Sequence, residues 1–327
     1  MTTILVIQTA FIGDAILASA VLENLHQEYP NANIDFLVRK GNESLYAEHP
    51  FLNEVLVWNK KEGKYRSLRK LLKKIRKRKY DTVINIHRFA SSGILTAFSG
   101  AKQKIGFNKN PLSAFFNIKI PHEIGNGKHE TERNHELIKS IVKNEQLPPK
   151  LYPTESHFKN TTSYKSDPYI CIAPTSVWFT KQFPQEKWIE LIQTIPDHFT
   201  VYLLGAPDDK EACEAIKTAV KRESIINLAG KLQLLESAAL MKDAVMNYVN
   251  DSAPMHLASA MNAPVCAVYC STTPDFGFGP LSDKSFVVEV NEDLDCRPCG
   301  LHGHSACPKG HFKCSDIDSR KMIAVIE

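Results

Sequence analysis

Hydrophobic residues in the first half of the chain form short continuous runs that alternate with stretches of helical spacing. A parallel strand buried on both faces is predicted by the first run, TTILVIQT. A helix that ends at Pro30 is predicted by the apolar spacing of GDAILASAVLENLHQEYP. Further strands are predicted by NIDFLVRK, EVLVWNK, DTVINIH and AKQKIGF. This alternation indicates an α/β domain built on a doubly wound sheet.

The same alternation begins again after a polar stretch, HFKNTTSYKSDP. Strands are predicted by YICIAPT, FTVYLLGAP, MNYVN and PVCAVYC, and helices by PQEKWIELIQTI, DKEACEAIKTAV and APMHLASAM. Two doubly wound sheets in tandem predict two Rossmann-like domains, which we place at 1–160 and 161–327. The carboxyl ends of their strands are expected to face each other across a cleft.

The composition is that of a soluble protein with two hydrophobic cores. The 327 residues are 43% apolar and 9% aromatic, which is enough to fill both domains. No run approaches the roughly 18 to 20 apolar residues that a membrane-spanning helix needs. The first 38 residues contain neither Lys nor Arg, so a signal peptide is not indicated. We therefore expect a cytoplasmic protein.

Positive charge is concentrated in one segment, between Lys60 and Lys79. It holds twelve Lys or Arg residues and one Glu, whereas the rest of the chain has 28 basic and 35 acidic residues. An apolar stripe at helical spacing runs through it: Tyr65, Leu68, Leu71, Leu72 and Ile75. One interpretation is a solvated helix face. The other is a helix that binds anionic lipid headgroups or a phosphorylated lipid acceptor, at about 1 kcal/mol per basic residue near the surface.

The candidate contacts for such a surface are Lys73, Lys74, Arg76 and Lys77. Nucleic acid is not indicated as a partner, because no nucleic-acid-binding motif accompanies the segment.

Four cysteines crowd into the segment 296–314: Cys296, Cys299, Cys307 and Cys314. The other four cysteines are scattered among apolar residues and are predicted to be small core residues. Disulfides are disfavoured in the cytoplasm. Two interpretations of the segment remain. Either the cysteines, with interleaved histidines, hold a structural zinc ion, or they are reduced thiols that pack a loop.

The common nucleotide-binding fingerprints are absent from the sequence. There is no G-x-G-x-x-G after the first strand and no G-x-x-x-x-G-K-[ST], so neither an NAD-dependent dehydrogenase nor a P-loop NTPase is favoured. Three strand-to-helix junctions offer another phosphate site: FIGDAIL, APTSVWFTKQFP and NDSAPMHLASA. Asp14 and Asp251 could each be a helix cap, which Asp favours. Alternatively, the helix that NDSAP opens could bind a diphosphate with its free N–H groups.

Together these stretches resemble glycosyltransferase family 9, the ADP-heptose:lipopolysaccharide heptosyltransferases. The resemblance also covers YDTVINIHRFASSGILTAFSGAKQKIGF, HETERN, LLGAPDDKE and INLAGKLQLLESAALM, in family order over residues 1–280. It implies the GT-B fold, with an acceptor-binding first domain and a nucleotide-sugar-binding second domain. It further implies inverting transfer of a heptose or a related sugar from an ADP-sugar to a lipid-linked acceptor such as the lipopolysaccharide core, at the inner face of the cytoplasmic membrane.

The resemblance assigns roles to individual residues. Asp14 matches the base that deprotonates the acceptor hydroxyl. Asp209 matches an acidic position near the donor ribose, with Asp208 as the alternative. Arg133, in HETERN, is grouped with the basic residues expected to meet the acceptor or the membrane. The remaining donor-binding residues are Thr175, Ser176, Lys181, Asp251, Ser252, Ala253, Pro254 and His256.

Ala253 departs from the family pattern, because it replaces a usual glycine, and a conformation with positive φ would be strained there. No metal cofactor is expected for catalysis, since this fold usually neutralises the leaving diphosphate without one. Other readings stay open: the same fold acting on another nucleotide sugar or acceptor, or a non-catalytic sugar- or lipid-binding assembly protein.

Overall fold

The chain folds into two compact units, the first ending at Tyr152 and the second beginning at Pro153. The computed structural model describes residues 2–61, 63–323 and 325. The division falls before the predicted boundary at 160/161, because the helix Glu155–Thr161 belongs to the second unit. Asn160 on this helix donates from Nδ2 to Oε1 of Glu236 at 2.7 Å.

The first unit is a six-stranded parallel sheet covered by helices. Its strands are β1 (Thr3–Gln8), β2 (Asn33–Arg39), β3 (Leu52–Trp58), β4 (Thr82–Asn85), β5 (Gln103–Phe107) and β6 (Ile118–Ile120). They pair in the order β3-β2-β1-β4-β5-β6. Its helices are α1 (Ile12–Glu28), α2 (Lys64–Arg78), α3 (Ala90–Ala97) and α4 (Glu130–Ile138). Of these strands, β6 was not predicted.

The second unit repeats this architecture. Its strands are β7 (Tyr169–Ala173), β8 (Thr200–Leu203), β9 (Ile225–Asn227), β10 (Met246–Asn250), β11 (Val265–Tyr269) and β12 (Ser285–Glu289). They are all parallel and pair in the order β12-β11-β10-β7-β8-β9. Its helices are α5 (Glu155–Thr161), α6 (Gln185–Thr194), α7 (Lys210–Val220), α8 (Leu234–Lys242), α9 (Ala253–Ala260) and α10 (Arg320–Ile323). The order is that of the first sheet read in reverse, so the two topologies are identical.

The central strands of the two sheets are largely apolar because helices cover both faces of each sheet. Leu5, Val6 and Ile7 in β1 are fully buried. Helix α1 is buried on nearly every side, because it lies against the sheet and packs against α4. In the second unit Trp188 on α6 is fully buried and donates from Nε1 to Pro174 O.

The strand order reverses once in each sheet, between the first and the fourth strand of the unit. The connections after these two strands leave in opposite directions, which opens a crevice at the carboxyl edge of the sheet. In the first unit the crevice lies at the ends of β1 and β4, and in the second at the ends of β7 and β10. The predicted catalytic and donor-binding residues lie mainly in these connections.

Over the part of the chain that the structure describes, no helix combines the length and the apolar character that a membrane crossing requires. The scattered cysteines Cys171, Cys213, Cys266 and Cys270 are buried in the second unit, as predicted.

Candidate functional site

Asp14 lies in the first turn of α1, immediately beyond the end of β1. The N-cap of this helix is Phe11, so the aspartate is not the N-cap itself. Its carboxylate accepts hydrogen bonds from the backbone N–H groups of Phe11 and of Asp14 itself. Burial and then the charge of Glu130 raise the pKa of Asp14 to about 6, although the Arg88 guanidinium and the two backbone donors act in the other direction. A half-buried carboxylate with this pKa can accept a proton near neutral pH.

A cavity of about 540 Å³ lies at the carboxyl ends of β2 and β3. It is lined by Arg39, Lys40, Gly41, Trp58, Asn59, Lys60 and Lys61. This set includes four cations and, among the described residues, no carboxylate, so the cavity suits an anionic group.

The cationic cavity is held next to the turn that carries Asp14. Lys60 Nζ donates to Thr9 O at 3.1 Å and lies 4.6 Å from the centroid of the Trp58 ring. The guanidinium of Arg39 lies 5.2 Å from the centroid of the Phe11 ring. Sequence analysis did not select Arg39 or Lys40. What could have pointed to them is their position: Arg39 is the last residue of β2 and Lys40 follows it, at the edge of the sheet where α/β proteins bind ligands.

In the second unit, Lys181 and Asp251 meet at the equivalent edge of the sheet. Lys181 follows β7 and Asp251 follows β10, and Nζ of the lysine lies 2.6 Å from Oδ2 of the aspartate. The same carboxylate oxygen accepts a hydrogen bond from Thr272 Oγ1 at 2.7 Å. The lysine side chain keeps 14% exposure and the aspartate 9%. The cation is therefore held in place at the crevice while it can still be reached by a ligand.

The loop between β7 and α6 carries Thr175 and Ser176, which are both half-buried. Asn250 at the end of β10 ties this loop down, because its Oδ1 accepts from Phe183 N at 2.8 Å and its Nδ2 donates to Thr175 O at 3.3 Å. Gln182 Nε2 donates to Ser176 O at 2.6 Å. The backbone of the loop is thus fixed at both ends.

The stretch NDSAP opens α9 as predicted, with Ser252 as the N-cap and Pro254 at the start of the helix. Ala253 is the first helical residue and is absent from the residues with positive φ. The expected strain from the missing glycine therefore does not arise. His256 is buried within the first two turns of α9.

The two candidate acids near the donor ribose differ in their surroundings. Asp209 caps its own turn, because its Oδ2 accepts from Ala206 N at 2.7 Å. Asp208 is exposed.

Most of the apolar stripe of helix α2 packs against the first unit, whereas Tyr65 is exposed. Leu68, Leu71 and Ile75 are buried in the core of the first unit, against the sheet. Of the basic candidates, Lys74 is ion-paired with Glu54.

The other basic candidates of α2, Lys73, Arg76 and Lys77, are exposed. Arg133 is different, because its side chain is only 2% exposed and donates from Nε to Glu130 at 2.7 Å. It lies in the interior of the first unit and not on the cationic surface.

The cysteine-rich segment 296–314 packs against the loop that carries Lys181. Thr180 N donates to His304 O at 3.1 Å, and His304 N donates to Thr180 Oγ1 at 2.8 Å. Cys299 N donates to Ser271 O at 2.7 Å. The segment therefore supports the backbone immediately before Lys181.

Gly303 allows this close approach. It has φ +72, and a Cβ atom there would lie 2.9 Å from Thr180 Oγ1. Of the four cysteines, Cys314 is buried and the other three are half-buried. Within residues 2–61, 63–323 and 325, no group of three or more His, Cys, Asp or Glu side chains could hold a metal ion. The zinc ion stays a prediction.

These features define an α/β protein of two Rossmann-like units that carries an acid at one sheet edge and a held cation at the other. Residues 68–306 match the family model for glycosyltransferase family 9 (heptosyltransferase). The chain belongs to this family, which confirms the resemblance and makes the protein a glycosyltransferase.

Curated relatives match along most of their length. Lipopolysaccharide heptosyltransferase 2 of Escherichia coli K12 is 28% identical over 306 residues, which cover 88% of each chain. Lipopolysaccharide heptosyltransferase 3 of the same strain is 27% identical over 80% of each chain. Lipopolysaccharide heptosyltransferase 1 of Pseudomonas aeruginosa PAO1 is 23% identical over 90% of this chain and 85% of its own.

Solved structures confirm the predicted GT-B fold class. The E. coli ADP-heptose lipopolysaccharide heptosyltransferase II matches with a TM-score of 0.79 at 24% identity, over 100% of this chain and 98% of its own. A family 9 glycosyltransferase from Veillonella parvula matches with a TM-score of 0.84 at 20% identity, over 99% and 95%. An E. coli heptosyltransferase solved with ADP matches with a TM-score of 0.77 at 21% identity, over the full length of both chains.

Proposed function

We propose that this protein transfers a heptose from ADP-heptose to the core of lipopolysaccharide. The observation that carries this proposal is the match to lipopolysaccharide heptosyltransferase 2, which covers 88% of each chain. Residues suited to the reaction lie at the carboxyl edge of both sheets. A neighbour of the same fold was solved with ADP, which supports an adenosine diphosphate leaving group. The same fold acting on another nucleotide sugar or acceptor is the alternative.

The reaction proceeds with inversion in this proposal. Ionised Asp14 takes the proton of the acceptor hydroxyl, whose oxygen forms a bond to the anomeric carbon of the sugar. The bond between that carbon and the diphosphate oxygen breaks, and ADP leaves with the bonding electrons. Lys181 and the N-terminal end of α9 stabilise the negative charge that develops on the diphosphate. A resident metal ion has no step in this scheme.

Thr175, Ser176 and Ser252 line the same edge of the second sheet, and we assign their hydroxyl and backbone groups to the donor phosphates. An exposed acid near the turn after β8 could hydrogen-bond the ribose. Because Asp209 already caps its turn, Asp208 is the better placed of the two.

The acceptor is anionic in this proposal. The cavity lined by Arg39, Lys40, Lys60 and Lys61 would bind carboxylate or phosphate groups of the acceptor, beside the turn that carries Asp14. The cationic surface of α2 would hold the protein at the cytoplasmic face of a membrane that contains anionic lipid. Because Leu68, Leu71 and Ile75 of α2 are buried, this attraction would be mainly electrostatic and sensitive to salt.

Separately, we propose that Cys296, Cys299, Cys307 and Cys314 bind a structural zinc ion. In the structure they do not form a metal-binding group, so zinc binding must draw them together. Metal analysis of protein purified without chelator should give about one zinc per chain, and Cys299→Ser should release it. A metal content near zero would contradict the proposal.

The function is tested by incubating the purified protein with a panel of ADP-, UDP- and GDP-sugars and with lipopolysaccharide cores truncated at successive sugars. We expect release of ADP only from ADP-heptose, and a product heavier by one heptose. Turnover of a different nucleotide sugar would select the alternative enzyme. Binding of donor without any turnover, on every core, would favour a non-catalytic assembly protein.

A further inference from the structure

A chain of buried and half-buried hydrogen bonds joins three parts of the first unit, at the sheet edge that carries Asp14. Arg88, which follows β4, has its Nη1 atom 3.0 Å from Nδ1 of His122. Nε2 of His122 lies 3.1 Å from Oε2 of Glu130, the first residue of α4. Arg133, one turn further along α4, donates from Nε to the same oxygen at 2.7 Å. The mechanism proposed above uses none of these four side chains.

The donor and the acceptor of each hydrogen bond in this chain follow from the chemistry of the side chains. A guanidinium has no acceptor, so Nδ1 of His122 must accept from Arg88, and the ring proton lies on Nε2. Nε2 then donates to Glu130, whose side chain is 5% exposed. Burial would raise the pKa of Glu130, but the hydrogen bond from His122 and the charge of Arg133 bring it below its ordinary value. Glu130 is therefore a fixed negative charge inside the first unit.

Asp14 and the hydrogen-bond chain lie at the same edge of the first sheet, because β1 pairs with β4 and His87, next to Arg88, contacts Thr9 at the end of β1. Helix α1 packs against α4, and the charges of both Glu130 and Arg88 act on the carboxylate of Asp14. Glu130 repels the ionised form of Asp14, and Arg88 attracts it. With Asp14 ionised, the positive charges of the two arginines, Arg88 and Arg133, balance the negative charges of Glu130 and Asp14. Removing the charge of Glu130 or of Arg88 leaves a net charge in this group.

Two other titratable groups lie at this edge of the sheet, and both contact Thr9 at the end of β1. His87 Nδ1 lies 2.9 Å from Thr9 Oγ1, and burial lowers the pKa of His87 to about 3, so the ring is neutral. Lys60 Nζ donates to Thr9 O. Neither belongs to the hydrogen-bond chain.

We propose that Glu130 and Arg88 are positioning residues whose opposite charges act in opposite directions on the carboxylate of Asp14, the proposed base. His122 holds both of them, because it bridges the guanidinium to the carboxylate. This inference rests on the proposed role of Asp14 in sugar transfer, and it adds the residues that tune that role.

The test uses two substitutions with opposite expected effects. Glu130→Gln keeps an oxygen for His122 and removes the charge, so the acidic limb of kcat/KM should move to lower pH by on the order of 1 unit. Arg88→Gln keeps a donor for His122 and should move the limb to higher pH by a similar amount. In Glu130→Gln, the plateau of kcat/KM at high pH should change far less than the value of kcat/KM on the acidic limb. Glu132→Gln is the matched control, because it removes an exposed carboxylate from the same turn of α4 and should move nothing.

A second readout does not need an active enzyme. The carboxyl carbon of Asp14, assigned by its loss in Asp14→Asn, is titrated by NMR in the intact protein and in both variants. Opposite shifts of its pKa in the two variants support the inference even if no sugar is transferred, in which case only the proposed function fails. An unmoved titration of Asp14, or plateau rates that fall without any movement of the limb, would overturn the inference and leave the transferase proposal standing.

Discussion

The two units share one topology but place opposite charges at equivalent positions. In the first unit the acid Asp14 follows the first strand and the cation Arg88 follows the fourth. In the second unit the cation Lys181 follows the first strand and the acid Asp251 follows the fourth. The strand order therefore fixes where a site forms, and the side chains in the connections decide its chemistry.

The acid and the cation are also held differently in the two units. Asp251 makes a close ion pair with Lys181 at 2.6 Å, and Thr272 hydrogen-bonds the same oxygen. Arg88 instead donates to His122 and reaches Asp14 through its charge, while Glu130 opposes it. A carboxylate in a close ion pair is a poor base, whereas one whose pKa is raised to about 6 accepts a proton near neutral pH. The comparison supports a base in the first unit and binding of phosphate charge in the second.

The largest effect is expected from Asp14→Asn. The amide keeps an oxygen for the Phe11 N–H group but has no basicity, so kcat should fall by on the order of 10² to 10⁴ while the melting temperature changes little. Steady-state kinetics and thermal unfolding measure the two quantities. If Asp14 only stabilises the helix, turnover should survive in the Asn variant, and Asp14→Ala should instead cost about 1 kcal/mol of stability.

A smaller effect is expected from Lys181→Gln, which removes the cation from the carboxyl edge of the second sheet. The Michaelis constant for the donor should rise by roughly 10- to 100-fold, since a charge-assisted contact to a phosphate is lost. Lys187→Gln is the control, because this lysine lies on the neighbouring helix α6 and pairs with Glu190. Equal losses in the two lysine variants would remove Lys181 from the donor site.

Sequence patterns predicted the central strands and most of the helices because buried parallel strands are continuous apolar runs. They missed the edge strands β6 and β12, which are short or half-exposed and therefore lack such a run. Asp14, Lys181 and Asp251 were found because each lies in the connection that follows a strand, in stretches that carry the resemblance to the family.

The tuning residues of the first unit could not be found in this way. Arg88, His122 and Glu130 come from three separate parts of the chain, and only the tertiary fold brings their side chains together. Arg133 was grouped with the basic residues expected to meet the acceptor or the membrane, but it is buried in an ion pair with Glu130, which the local sequence does not reveal.

The cationic surface of α2 distinguishes the first unit from the second in another way. Reversing the charge of Lys73, Arg76 and Lys77 together should weaken binding to vesicles that contain anionic phosphatidylglycerol by about 100-fold or more, at about 1 kcal/mol per residue. The core side of the helix is untouched, so turnover of a soluble acceptor should persist. A matched triple reversal at the exposed residues Lys159, Lys210 and Lys231 of the second unit should have little effect. Equal binding of the protein to neutral and anionic vesicles would support a merely solvated face.

The smallest effect is expected where segment 296–314 supports the loop that carries Lys181. In Gly303→Ala the new methyl group would lie 2.9 Å from Thr180 Oγ1, so the loop before Lys181 must shift. The donor Michaelis constant should rise several-fold with kcat nearly unchanged. Gly310→Ala is the matched control, because its φ of +74 imposes similar strain but nothing lies within 4 Å of the added Cβ. Identical kinetics in the two variants would show that the contact does not position the loop.

The affinity for ADP, measured by calorimetry in Asp14→Asn and Lys181→Gln side by side, tests the division of roles between the two sheet edges most directly. The account predicts that Asp14→Asn binds ADP as tightly as the unaltered protein, although its turnover is lost. It predicts that Lys181→Gln binds ADP at least about tenfold more weakly. An Asp14→Asn protein that loses ADP affinity as much as Lys181→Gln would contradict the assignment of the base to the first unit and of the phosphate site to the second.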